Sequence, residues 1–388
     1  MVKLRILDLL VCPIDKTPLE LVEWESIPLK LSKDDIARIE CRGLDPSKFS
    51  KEITTGVLVN RALKTIYPIH AGIPRMLVFP TDVARKFSQQ HAHRIARELP
   101  GFSTPQELGM PGEQTVLRTF SSEWVNHGWD EQSYWGVRPA ALYESMKYLL
   151  DLPNRSVKEK LVLEVGIGVG GIADYMTREQ ECELVGVDLS YAVDPAYMHF
   201  GANVFLHIVQ ASAFHLPFRE NSFDLVYSQG VLHHTFSTKT AFDRICKLPK
   251  HGGRLYVWLY NDNTDQLQLH RRVIPLMEKV IRPLCWRLPE TLQTLTLLPI
   301  VLLYLAHQNL YKKRIGSNYV SIGYRGALHA ARDRFTPRYA HHHTEAEVSN
   351  WFRQAEYTEI QCASKRSFPD IPVVKAMALA TVVDGVRG

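Results

Sequence analysis

The 388-residue sequence predicts an α/β protein built on a doubly wound parallel sheet, with a small β-rich module before it and a helical insertion within it. Three observations carry that prediction. Between 161 and 259, apolar runs of strand length alternate with amphipathic stretches of helix length, the pattern of a sheet covered on both faces. The first of those runs ends in a glycine-rich turn, LVLEVGIGVGG at 161–171. Residues 1–80 instead hold short β-like runs, GVLVN, KTIYPI and RMLVF, separated by Pro and Gly.

Taken in order, residues 81–150 read as mainly helical, with aromatics interspersed. The sheet region then runs LVLEVG, a helix at GGIADYMTRE, ELVGVDLS, ANVFLHIV, SFDLVYSQ, a helix from about 238 to 248, and RLYVWLY. Residues 263–330 break the rhythm, which resumes with a helix near TEAEVSNWFRQA and strands near YTEIQCA and VKAMALATVV. These shifts divide the chain at 1–80, 81–150, 151–262, 263–330 and 331–388.

Hydrophobic residues make up 45% and charged residues 22%, an ordinary globular balance with ample material for a core. The net charge of +5 is modest for this length and does not argue for nucleic acid. Six cysteines form no C-x-x-C, so neither a disulfide scaffold nor a ribbon-type zinc site is indicated. The first residues lack a signal-peptide core, and a cytoplasmic chain is expected.

The glycine turn fits two templates. Gly166, Gly168 and Gly171 satisfy G-x-G-x-x-G, the dinucleotide fingerprint; Glu164 with Gly166, Gly168 and Gly170 satisfies E-x-G-x-G-x-G. Both need glycine because a strand turning sharply into a helix must let backbone and ligand approach closely. Asp188 ends the next strand, 22 residues after Gly166, where a carboxylate suits ribose hydroxyls in either case. Glu164 discriminates: its charge would oppose a pyrophosphate and favour an ammonium and a sulfonium.

Downstream, VQASAFHLPFRENSFDLVYSQGVLHHTF, then a helix and HGGRLYVW, resembles the class I S-adenosylmethionine (SAM)-dependent methyltransferases in order, spacing and wording. The resemblance covers roughly 115–262 and, more weakly, 331 to the end. It implies a seven-stranded Rossmann-like sheet and SAM as cofactor. Glu164, Gly166 and Gly168, with Gly170 completing the motif, would line the methionine end. Asp188 would take the ribose, Leu189 would flank the adenine, and the backbone of Ser228 and Gln229 would pass beneath the sulfonium. The family usually carries Asp where this chain has Ser212; the serine hydroxyl and the Ala213 backbone would serve the adenine less strongly. In FSSEWVNHGWDEQSYWGVRPAALYE, Tyr134 and Arg138 would cover the cofactor, with Trp135 on the acceptor side. A simple packing stripe is the competing reading.

Methyl transfer requires alignment of nucleophile and methyl, exclusion of water and, for some acceptors, removal of a proton. His233 and His234 follow the fourth strand at the carboxyl edge where ligands sit in such sheets, so either is a candidate base or a packing histidine. RYAHHHTEAEVSNWF brings His341, His342 and His343. Adjacent residues point apart and no helical-spaced partner completes a ligand set, so no metal is expected. These histidines with Arg334, Tyr339 and Tyr260 read as a substrate-facing set, and Thr344 with Glu347 as a capping box.

RILDLLVCPIDKTPLEL and KTIYPIHAGIPRML resemble the small bacterial zinc-ribbon-like proteins related to the activator subunit of eukaryotic tRNA and protein methyltransferases. Asp15 stands where that family has its second cysteine, so the resemblance implies the fold without the metal. In the insertion, TLQTLTLLPIVLLYLA at 291–306 carries no charge, while 271–314 holds eight Lys or Arg against two Glu. A stretch so short, interrupted by Pro299, does not read as a transmembrane helix. A lid over the acceptor or a homodimer face is favoured over an interfacial membrane helix, because such stretches mostly bury against protein.

The reading is therefore a SAM-dependent methyltransferase acting on O or N of a small-molecule acceptor, such as a secondary metabolite, sugar or lipid precursor. A tRNA methyltransferase is the runner-up, though no nucleic-acid partner is expected. An NAD-dependent dehydrogenase and a non-catalytic SAM-fold scaffold remain as other classes.

Overall fold

The computed structural model describes residues 2–126, 139–262, 273–315, 323–371, 374 and 377–388. Its N-terminal antiparallel sheet contains β1 (Val2–Lys3), β2 (Glu20–Pro28), β3 (Lys51–Asn60), β4 (Thr65–His70) and β5 (Ile73–Pro74), in the order β1-β3-β4-β5 with β2 also on β3. RMLVF, expected as a strand, is not one: Ile73–Pro74 pairs with β4, and the chain then leaves to meet the larger sheet.

That larger sheet comprises β6 (Leu161–Val165), β7 (Glu183–Asp188), β8 (Leu206–Gln210), β9 (Phe223–Gln229), β10 (Pro249–Leu259), β11 (Tyr357–Cys362) and β12 (Thr381–Arg387). Its order is β11-β12-β10-β9-β6-β7-β8. Strands β6 to β10 pair in parallel, whereas β12 runs antiparallel between β10 and β11. β6 and β8 are buried at every residue, because helices cover both faces. The last strand starts at Thr381, later than the apolar run VKAMALATVV that predicts it; Val374 is already helical.

The small module covers the β8 edge. The Met76 N–H donates to Gln210 O at 2.8 Å and the Val11 N–H to Pro217 O at 2.9 Å. Lys3, fully buried, donates from Nζ to the carbonyls of Asn203 (2.9 Å) and Leu206 (3.0 Å). Arg5 pairs with Glu183, which also meets His207 Nε2 at 3.0 Å. An unpaired edge strand is a template for aggregation, and this docking removes it. Where the metal cysteines of the resembling family would lie, Cys12 Sγ sits 3.3 Å from Tyr67 Oη and Asp15 accepts from Thr17 and Asn60.

The insertion forms helices Val273–Cys285, Glu290–Ile315 and Tyr324–Phe335 around a small apolar core of their own. Glu278, 1% exposed, bridges Arg282 and Arg334 and so ties the first helix to the third. Among the described residues, no helix is long and apolar enough to cross a membrane.

Candidate active site

The carboxyl ends of β6, β7 and β9 open into a cavity of about 670 Å3. Its floor is the glycine turn. The N–H groups of Gly166 and Ile167 both donate to Val187 O, at 2.8 and 3.0 Å, folding the turn over the end of β7. Gly166 has φ +93°, and a Cβ there would lie 2.0 Å from Val231 Cγ2. At Gly168, φ +53°, a Cβ would meet nothing nearer than Trp124 at 3.8 Å, so the turn leaves open space on its cavity side. Gly170, at φ +82°, starts the helix Gly171–Glu179.

Two carboxylates flank the turn. Glu164 lines the cavity at 4% exposure, and its Oε2 has no hydrogen-bond partner. Burial, reinforced by the charge of Asp188, pushes its carboxyl up to about 8. An unpartnered buried carboxylate is costly unless a cation joins it. Asp188 accepts from the Gly168 N–H at 3.0 Å and from Ser190 N–H and Oγ at 2.8 and 2.7 Å, which aims the carboxyl group along the turn.

Leu189, Ser212, Ala213 and Gln229 also line the cavity. Ser212 does not act alone: its hydroxyl donates to Oε1 of Glu113, a cavity-lining residue at the start of the helix Glu113–Asn126. The other oxygen of Glu113 accepts from the Met110 N–H at 2.7 Å. A carboxylate therefore stands beside Ser212 after all, delivered from a different segment. Ser228 is off the cavity; it is fully buried and donates to Val165 O, tying β9 to β6.

Of the histidine pair, His234 reaches the cavity and His233 does not. His233 is fully buried, with its ring 3.9 Å from that of Tyr260. His234 Nδ1 sits 2.9 Å from Tyr339 O, a bond in which Nδ1 must be the donor, leaving Nε2 as acceptor. Burial lowers His234 to about 3, so it is a neutral imidazole and a weak base.

The tripled histidines lie beside the cavity but do not line it. His341 Nε2 bonds Thr235 O at 3.1 Å, His342 lies 3.7 Å from Glu278, and His343 Nδ1 bonds Glu347 at 3.1 Å. That last contact takes the Glu347 side chain away from the expected capping box; only Thr344 Oγ1, accepting from the Glu347 N–H, caps the helix Glu345–Gln354. Tyr339 likewise turns outward, its hydroxyl donating to Pro111 O. Tyr260 and Arg334 do line the cavity. Arg334 is already paired with Glu278, so its positive charge is not free for an acceptor.

Tyr134, Trp135 and Arg138 lie outside the described residues. From the same aromatic segment, Phe120 and Trp124 line the cavity, and from the insertion Tyr304 and Asp333 do so. Asp333 accepts a hydrogen bond from Tyr260, and burial raises its carboxyl despite Arg334 nearby. Pattern reading missed it because a lone Asp between two Arg reads as a solvated helix face.

Residues 163–257 match the family model described as a methyltransferase domain, and residues 3–72 match the model of Trm112p-like proteins. The chain joins a class I methyltransferase domain to a Trm112p-like domain. Over 130 residues it is 31% identical to a sterol 24-C-methyltransferase of Neurospora crassa, covering 32% of this chain and 34% of that protein. Over 104 residues it is 31% identical to phosphoethanolamine N-methyltransferase 2 of Caenorhabditis elegans, covering 26% and 23%. The chain thus spans about a third or less of these relatives. Among solved structures, the complex of the Haloferax volcanii Trm112 methyltransferase activator with a putative methyltransferase aligns at 15% identity and TM-score 0.36, over 63% of this chain and 89% of that one.

SAM is the cofactor of this domain class, and the cradle fits it. Gly168 leaves room, Asp188 would present its carboxyl group to a ribose, and Glu164 has one oxygen free, whose carboxylate form a cation would favour.

Proposed function

We propose that the protein is a cytoplasmic methyltransferase that moves a methyl group from SAM to an O or N atom of a small-molecule acceptor. The observation that carries this reading is Glu164, a buried carboxylate with a free oxygen at the strand end beside the glycine turn. A cation there favours the carboxylate, whereas a pyrophosphate would oppose its ionisation. Calorimetry with SAM and NAD is the direct test: micromolar SAM binding and none for NAD are expected, and the absence of SAM binding overturns the reading.

Bound SAM supplies an electrophilic methyl on a cationic sulfur. The chain's part is to hold the acceptor in line, keep water out and take up a proton. Glu164 and the glycine turn would hold the methionine end, Asp188 the ribose, and Glu113 with Ser212 the adenine edge. Phe120, Trp124 and Tyr304 close the cavity with apolar surface, which favours an acceptor with substantial apolar character.

For the proton, the geometry favours Asp333 over His234. Asp333 is held by Tyr260 and raised toward neutrality, where a general base works best, whereas His234 is too weakly basic. Asp333→Asn is expected to lower methyl transfer by about 10²- to 10⁴-fold with SAM affinity unchanged, and His234→Gln by much less. Transfer of labelled methyl from SAM into a cell extract serves as the assay. Equal loss in both variants would return the role to the histidine.

A further inference from the structure

The insertion caps the cavity through Tyr304, Asp333 and Arg334, and its central helix, Glu290–Ile315, is apolar on both sides between 292 and 304. One side faces the protein: Leu297, Ile300 and Val301 are buried in the cap core, and Tyr304 reaches the cavity. The opposite side carries Leu292, Leu295, Leu298, Leu302 and Leu303, spaced to share one helical face. These face solvent: Leu295 is 64% exposed, Leu302 56% and Leu303 67%. Val280 and Leu284 of the preceding helix are 68% and 56% exposed as well. A helix stretch with two apolar sides belongs between two apolar media, and the described residues supply only one.

Charge says what supplies the other. Exposed Lys279 and Arg287 lie on this part of the insertion, whose sequence from 271 to 314 holds eight Lys or Arg against two Glu. Trp286, between the two helices, has the guanidinium groups of Arg287 and Arg338 at 4.5 and 4.8 Å from its ring. An apolar face fringed by basic residues, with a tryptophan at its margin, matches the layers of an anionic bilayer surface. A second copy of this chain would instead set the same positive fringe against itself.

We propose that the exposed leucine face of the Glu290–Ile315 helix lies in the interface of an anionic lipid membrane, resting the cap on the bilayer without crossing it. This surface is independent of the methyl-transfer reading. It places the cavity one helix diameter, roughly 10 Å, from the lipid.

Flotation of the full chain with phosphatidylcholine vesicles, with and without phosphatidylglycerol, tests the proposal. The expected result is binding to the phosphatidylglycerol vesicles that weakens with salt, and at least tenfold weaker binding to phosphatidylcholine alone. Leu295→Glu with Leu302→Glu should lower binding at least tenfold while SAM affinity by calorimetry stays unchanged. No binding to either vesicle, equal binding to both, or a dimer in sedimentation that the double variant dissociates would overturn it. Loss of SAM binding in the wild type would strike at the methyl-transfer reading and leave the vesicle result standing.

Discussion

Residues 81–388 expressed without the Trm112p-like domain are expected to aggregate instead of yielding a smaller enzyme. Val2, Ile6, Leu10, Ile53, Tyr67 and Met76 belong to the same apolar cluster as Leu163, Val185 and Val209 of the methyltransferase sheet and Phe218 of the segment between β8 and β9. Removing the first set uncovers the second and frees the β8 edge. A milder version tests the same interface in the intact chain. Arg5→Ala leaves Glu183, 2% exposed, without its guanidinium and should cost about 3–5 kcal/mol, read as a lower urea midpoint. A soluble, SAM-binding 81–388 fragment would show that the module is an accessory and not part of the core.

SAM affinity is expected to fall as pH drops below 8, and the cause is Glu164. With its carboxyl pushed up to about 8 by burial and by Asp188, the free protein carries a proton there at neutral pH. A bound cation favours the carboxylate, so binding must expel that proton. The sign follows: each pH unit below 8 weakens binding by up to about tenfold, or about 1.4 kcal/mol, and binding at pH 7 releases a proton into the buffer. Calorimetry in buffers of different ionisation enthalpy reads the release directly. Glu164→Gln should flatten the pH profile and loosen SAM more than S-adenosylhomocysteine, which lacks the sulfonium charge. A wild-type affinity flat from pH 6 to 8 would remove Glu164 from the cation's neighbourhood.

The parallel core was legible because its strands, LVLEV, ELVGVD and FDLVYSQ, are apolar runs ending in turn residues, a signal carried by each segment alone. So were the glycine turn and Asp188. Glu113 was not: its value comes from a hydrogen bond to Ser212 across 99 residues, which no local pattern encodes. The same holds for Asp333, which lines the cavity from a helix that Glu278 ties through Arg334 to the first helix of the insertion. The histidine run misled in the other direction. Side-chain identity suggested a substrate-facing loop, but each imidazole is turned to a separate partner: His341 to Thr235, His342 to Glu278 and His343 to Glu347.

Because the Trm112p-like domain reaches the β8 edge as part of the same polypeptide, their union is intramolecular and does not vary with dilution. Whatever stability or shape that docking confers is therefore granted to every molecule in fixed one-to-one proportion. Supply of a separate chaperoning subunit cannot throttle it, and no rival enzyme can draw it away.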